Sequence, residues 1–258
     1  MPATRRKDQV EQKKSALLQV SGLFKHFEGQ DGVSGLDLSI EAGQIVGLLG
    51  PNGAGKTTTL RCISGGLRPD QGEITIAGTN LLTTPVEAKR HLGYVADAPL
   101  QFSNLTCWQH VLFTASVFQL TNYKQRANEL FSHFALTEKR DAYPSDLSKG
   151  MKQRLSLICA FLPAPPVLML DEPMTGLDPF GLIAINEAIR AAAAGGACVI
   201  ISSHLLSILE EVCTHVVVMN RGKAAFNGSI AEARAFSASK RGDATLKEIF
   251  FTVSGSGK

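Results

Sequence analysis

Short apolar runs punctuate the chain at 17–20, 36–40, 45–49, 73–77, 93–96, 167–171, 198–202 and 215–219. Several are continuous rather than alternating, the pattern of strands covered on both faces. Helical spacing fills some of the intervals, so the chain reads as α/β. From 97 to 163 the pattern changes. Thr106-x-x-Gln109 has the form of a capping box and opens a helix expected to carry Trp108, Val111, Leu112 and Ala115 on one side. A second helical pattern, Ala127, Leu130, Phe131 and Phe134, precedes Pro144. The expected organisation is therefore a helical subdomain, 97–163, inserted into an α/β core of 15–96 and 164–258. The most apolar stretch, 155–170, is cut by Pro163, Pro165 and Pro166. A membrane-spanning helix wants about 20 uninterrupted apolar residues, and this stretch falls short.

Composition narrows the classes. With 44% hydrophobic and 19% charged residues among 258, the chain is an ordinary folding sequence. A net charge of +3 is too small to argue for a nucleic-acid partner. Cys62, Cys107, Cys159, Cys198 and Cys213 show no zinc-ligand or redox spacing and sit mostly among apolar neighbours. They read as buried free thiols of a reducing compartment. Residues 1–14 are polar and charged with no apolar stretch after the charges, which excludes a secretory signal and predicts a flexible tail.

Two segments carry chemistry. Gly50-Pro51-Asn52-Gly53-Ala54-Gly55-Lys56-Thr57 lies between the run at 45–49 and a plausible helix, and fits G-x-x-x-x-G-K-[ST] in its strand–loop–helix setting. Glycines let successive N–H groups converge on phosphate oxygens, and the following helix N-terminus adds a favourable dipole. Gly50, Asn52, Gly53, Ala54, Gly55, Lys56, Thr57 and Thr58 are thus the candidate phosphate contacts. Lys56 is placed to bridge β- and γ-phosphates and the Thr57 hydroxyl to ligate Mg²⁺. The second segment is the buried-strand pattern 167–171, which ends in Asp171 and Glu172. Neighbours in an extended chain point in opposite directions, so the two acids need not share a task. Asp171 suits Mg²⁺, and Glu172 suits orienting or deprotonating an attacking water.

Three further stretches carry a family resemblance. Leu147-Ser148-Lys149-Gly150-Met151-Lys152-Gln153-Arg154 resembles the signature motif of ATP-binding cassette proteins. Gly176-Leu177-Asp178-Pro179 resembles their D-loop, and Ser203-His204 their switch histidine. Order and spacing match from about residue 17 onward. The resemblance implies a P-loop NTPase (RecA-like) core with an N-terminal antiparallel β subdomain and an inserted α-helical subdomain. It implies an ATPase using ATP and Mg²⁺, in which two cassettes, alike or different, sandwich nucleotide head to tail. Ser148, at the start of a helix expected over 151–162, and Gly150 would then meet the γ-phosphate held by the other cassette. Asp178 would help join the cassettes, and His204 would contact the γ-phosphate. Phe27 occupies the place of the aromatic that stacks on adenine, with Phe24 competing for the role. Asp97 stands where the family's Q-loop carries glutamine, and is a candidate metal ligand. The remaining histidines read as structural or exposed.

Lys149 and Met151 depart from the common Leu-Ser-Gly-Gly-Gln and resemble the drug-, lipid- and polysaccharide-exporter branch, as do Asp97 and the ending 246–250. The resemblance implies a separate transmembrane permease subunit, docked near 97–104 where Pro99, Leu100, Phe102 and Leu105 offer an apolar patch, and a position on the inner face of the cell membrane. An importer subunit shares every catalytic motif and stays open, as does a soluble cassette ATPase that remodels a macromolecular complex. A P-loop kinase or small GTPase is opposed by the signature, D-loop and histidine, and by the absence of an Asn-Lys-x-Asp stretch.

Overall fold

Residues buried on both faces of a strand need a layer on each side, and this requirement organises the molecule. The computed structural model describes residues 16–98, 100–238, 245–248 and 250, with only the backbone at 30 and 31. The expected tail at 1–14, together with Pro99 and Ile249, lies outside the described residues.

In chain order the elements are β1 (Ala16–Phe27), β2 (Gln30–Glu41), β3 (Ile45–Leu49), α1 (Lys56–Ile63), β4 (Gln71–Ile76), β5 (Thr79–Asn80), α2 (Pro85–Arg90) and β6 (Leu92–Val95). The helices α3 (Cys107–Val117), α4 (Tyr123–His133) and α5 (Lys149–Phe161) follow, with 3-10 turns at Thr137–Lys139 and Pro144–Asp146. The chain returns through β7 (Val167–Asp171), α6 (Pro179–Ala194), β8 (Cys198–Ser202), α7 (Leu206–Val212), β9 (His215–Asn220), β10 (Lys223–Ser229) and α8 (Ile230–Ala238).

Six strands form a sheet in the order β10-β9-β3-β8-β7-β6, parallel except for β10 at one edge. Every residue of β3, β7 and β8 is buried. Alternation along β3 sends Ile45 and Leu49 into a core shared with α3–α6, and Val46 and Leu48 into a second core beneath an antiparallel sheet, β2-β1-β4-β5. The observed architecture is thus the α/β cassette fold with its antiparallel β layer and its run of helices. Between 97 and 163 the described residues contain α3, α4, α5 and the two 3-10 turns, and no strand.

Several local expectations change. The runs at 17–20 and 36–40 lie at the open end of the hairpin formed by the 12-residue strands β1 and β2; the strands continue to the Phe27–Gln30 turn, where His26 and Phe27 are exposed and the apolar pattern fades. β5 and β10 carried no apolar signal; β10 is a partly exposed edge strand. α5 begins at Lys149 rather than 151, because Ser148 Oγ accepts from Met151 N at 3.2 Å and caps the helix two residues earlier. The capping box of α3 is present: Gln109 N donates to Thr106 Oγ1 at 3.2 Å and Thr106 N to Gln109 Oε1 at 2.8 Å. On that helix Val111 and Ala115 are buried and Trp108 packs on the core's edge, but Leu112 is exposed and does not share their face. His110 is buried instead; its Nε2 accepts from Phe102 N at 3.0 Å, so its Nδ1 carries the proton donated to Thr106 O at 2.8 Å.

All five cysteines are free, four of them buried. Among the described residues no helix is long and apolar enough to cross a membrane.

Candidate active site

The phosphate loop leaves the fully buried β3 and runs into α1, whose first turn has neither a side-chain cap nor an acidic residue. Two of its glycines are demanded by close approach. A β-carbon on Gly50 would stand 2.6 Å from Met219 O, and one on Gly55 2.2 Å from Gly32 O. Lys56 is buried, and its Nζ donates to Gly50 O at 2.6 Å and Pro51 O at 3.1 Å. Burial lowers its pKa from the ordinary lysine value, against the raising influence of Glu172 and Asp171.

The carboxylates depart from simple strand alternation. Asp171 ends β7 and is 1% exposed; Ser202, its register partner on β8, donates from Oγ to Asp171 Oδ1 at 2.5 Å. Asp171 Oδ2 is buried without a hydrogen-bond partner. Burial raises the Asp171 pKa, opposed first by the Ser202 hydroxyl; Thr57 and Lys56 also lower it and Asp97 raises it. Glu172 leaves the strand at φ 47, in the left-handed region. Holding a non-glycine residue there costs about 1–3 kcal/mol. That turn breaks the alternation, so both acids line the same cavity. Glu172 Oε1 lies 3.1 Å from His204 Nε2, without the directionality of a hydrogen bond, while His204 N donates to Glu172 Oε2 at 3.3 Å. Burial raises the Glu172 pKa, with His204 the leading opposing influence. The His204 side chain is 61% exposed.

The cavity, about 550 Å³, is lined by Phe27, Glu28, Gly32, the loop and helix residues Asn52 to Thr58, Asp97, Asp171, Glu172 and His204. Of the phosphate-contact candidates only Gly50 does not line it; its carbonyl instead accepts from Lys56 Nζ. Phe27 is 48% exposed and lines the cavity, whereas Phe24 stacks on His26 and lies against Gly35. A larger, mostly apolar cleft of about 690 Å³ beside α4 and α6 contains none of these groups. Convergent charged groups, not size, mark the smaller cavity as the site of chemistry.

Ser148, Gly150 and Asp178 do not line this cavity. They gather where α5 meets the loop between β7 and α6. Asp178 caps α6 by accepting from Gly181 N at 2.7 Å and pairs with Arg154 at 2.5 Å. Its pKa is held below the ordinary value, first by the Gly181 N–H and then by Arg154. The buried Gln153 donates from Nε2 to Pro173 O at 3.1 Å. A β-carbon on Gly150 would stand 2.5 Å from Gly176 O, so this glycine is also required by packing. Ser202 and Gly32 escaped the motif-based reading, and Gln153 stood in the signature stretch without a role of its own. Each acts through a partner distant in sequence, and only the register or packing reveals the pair.

Among the described residues no three His, Cys, Asp or Glu side chains form a metal cage. Mg²⁺ does not need one: it takes one or two protein oxygens and completes its shell with phosphate and water. The unpartnered Asp171 Oδ2, with Thr57 beside Asp171, fits that demand. Asp97 lines the same cavity.

A sequence model of the family described as "ABC transporter" matches residues 33–175. The "ABC-type transporter ATP-binding protein EcsA" of Bacillus subtilis (strain 168) is 32% identical over 240 residues, spanning 92% of this chain and 96% of that protein. The "Bacitracin transport ATP-binding protein BcrA" of Bacillus licheniformis is 34% identical over 210 residues, 81% of this chain and 68% of the relative. A solved structure described as "Structure of ATP binding subunit of ABC transporter" superposes with a TM-score of 0.88 at 31% identity, covering 92% of this chain and 99% of that one.

Proposed function

The chain belongs to the ABC transporter family, whose cassettes bind ATP with Mg²⁺ and hydrolyse it, and on that premise we propose how its residues divide the work. The observation that carries the reading is the convergence of the phosphate loop, Asp171, Glu172 and His204 on one cavity. Lys56 and the N–H groups of residues 52–58 hold the triphosphate, with the Phe27 ring stacked on adenine. Thr57 and Asp171 hold Mg²⁺, with Asp97 beside them. The cation, when bound, neutralises phosphate charge. Glu172 orients the attacking water and takes its proton. A carboxyl whose pKa is raised by burial is the better base for that transfer. His204, against the Glu172 carboxylate, holds that group in register and faces the γ-phosphate.

Ser148 and Gly150 complete the site of a second cassette bound head to tail, and Asp178 helps join the two. Their position outside this chain's own cavity supports that division. The work is coupled to a separate membrane-spanning permease. The exposed Leu100, Phe102 and Phe113 line one apolar cleft, with the Phe102 and Phe113 rings edge to face, a surface of the kind that marks such contacts, and their burial there would hold the cassette at the inner face of the membrane. The direction is export, as the Ser148-Lys149-Gly150-Met151 signature and Asp97 resemble the exporter branch.

The test uses tagged Glu172→Gln, which keeps shape and binding but not the base. Turnover should fall at least about 100-fold with ATP binding intact. Mild-detergent extraction of native membranes with Mg·ATP should recover a multi-spanning membrane protein. A fast-cycling variant would remove Glu172 from the role of base. Recovery of soluble partners alone would move the reading to a remodelling ATPase.

A further inference from the structure

The phosphate loop rests on segments that the nucleotide motifs do not include. Gly55 approaches Gly32 of β2 so closely that a β-carbon on Gly55 would stand 2.2 Å from Gly32 O. Gly32 in turn lies under the Phe27 ring: a β-carbon at 32 would stand 2.7 Å from Phe27 Cε2 and 3.1 Å from both Phe27 Cδ2 and Lys25 O. Gly32 is not among the residues with positive φ, so no left-handed backbone calls for glycine there and the demand is one of space. The turn between β9 and β10 ties the same strand to the loop. Gly222 N donates to Ala54 O at 3.0 Å, and Ser34 N donates to Gly222 O at 2.8 Å. Gly32 therefore meets the exposed ring on its bare Cα and the phosphate loop through its carbonyl oxygen.

We propose that Gly32 is a positioning residue for the nucleotide, setting the Phe27 ring against the phosphate loop so that base and phosphates are engaged together. This rests on the reading of Phe27 as the base platform. A methyl group at 32 displaces the ring, because the ring is the side chain that can move while Lys25 O and the Gly32–Gly55 contact are backbone. A base-free polyphosphate makes no use of the ring and should not register the change.

Calorimetric titration of the full chain with Mg·ATP and with Mg·tripolyphosphate tests this, using Gly32→Ala, Phe27→Ala and the double variant. Gly32→Ala should weaken Mg·ATP about tenfold, the scale of one lost stack, and leave Mg·tripolyphosphate within about twofold. The double variant should bind Mg·ATP no more weakly than Phe27→Ala alone and should melt no lower than Gly32→Ala, since removing the ring makes room for the methyl. Unchanged Mg·ATP affinity in Gly32→Ala, equal weakening of both ligands, or additive effects in the double variant would each overturn the proposal. If Phe27→Ala weakens Mg·ATP while Gly32→Ala does not, the platform stands and only Gly32 loses its role. If Phe27→Ala itself changes nothing, platform and proposal fall together. Should Gly32→Ala not fold, a folded double variant with the affinity of Phe27→Ala supports the proposal, and an unfolded one refutes it.

Discussion

Replacing Ser202 by alanine isolates the electrostatics of the buried carboxylate. The hydroxyl donates to Asp171 Oδ1 at 2.5 Å and accepts from Glu172 N at 3.0 Å. The variant loses both bonds, but Glu172 N keeps a backbone acceptor in Ser202 O at 3.1 Å. Asp171 Oδ2 has no partner at hydrogen-bond geometry, so the carboxylate would keep only the weaker influence of the neighbouring Thr57 and Lys56. A hydrogen bond to an ionised group contributes about 1.5–3 kcal/mol, against about 0.5–1.5 kcal/mol for a neutral pair. Burial raises the folded pKa of Asp171 and the Ser202 hydroxyl restrains it. The folded state therefore holds this proton more tightly than the unfolded chain, and Asp171 costs stability as pH rises from its unfolded value near about 3.9 through the raised folded value. Ser202→Ala raises the folded value further and extends the loss to higher pH. Denaturant unfolding without nucleotide should show Ser202→Ala less stable by about 1.5–3 kcal/mol at about pH 8, with the gap shrinking steadily as pH falls. Mg·ATP should narrow the gap at high pH, because the cation neutralises the same carboxylate. A gap constant with pH, or one that widens towards acid, would refute the assignment of a charge-assisted bond.

Lys56→Ala should weaken ATP by at least about tenfold through loss of the phosphate-bridging cation; unchanged retention of labelled ATP on a filter would count against the loop's role. Gly150→Ala sets a favourable helix propensity of about 1 kcal/mol against a β-carbon 2.5 Å from Gly176 O. Overpacking against backbone costs about 1–3 kcal/mol, so the melting temperature should fall, and a rise would show that the α5–loop contact yields easily. Thr106→Ala removes the cap of α3 and should cost about 0.5–2 kcal/mol in denaturant unfolding. Thr106→Ser should recover most of it, and an equal loss in both would place the effect outside the capping bond.

Features local in sequence were legible before the structure. The glycine pattern of 50–57, the capping box of Thr106 and Gln109 and the continuous apolar strands 45–49, 167–171 and 198–202 depend on residues a few positions apart. Their conformations follow from backbone sterics, cap hydrogen bonds and two-sided burial. The turn-side ends of β1 and β2 and the edge strand β10 were not legible, since a solvated strand imposes no apolar pattern. Leu112 was misplaced for a similar reason: helical spacing names a face only roughly, and His110 could enter the core once its ring nitrogens were satisfied by Thr106 and Phe102.

The residue types able to do the chemistry were written in the chain: a lysine after glycines, two acids after a buried strand, a histidine after another. Which groups touch was decided by tertiary structure. Parallel register sets Ser202 opposite Asp171, and a left-handed turn at Glu172 brings both acids to one cavity. The contact of Gly32 with both Phe27 and Gly55 exists only because the antiparallel layer packs against the phosphate loop. The reason is range. Dihedral preferences act over a few residues, whereas register and layer packing join positions far apart in sequence, and no local pattern records which of them will meet.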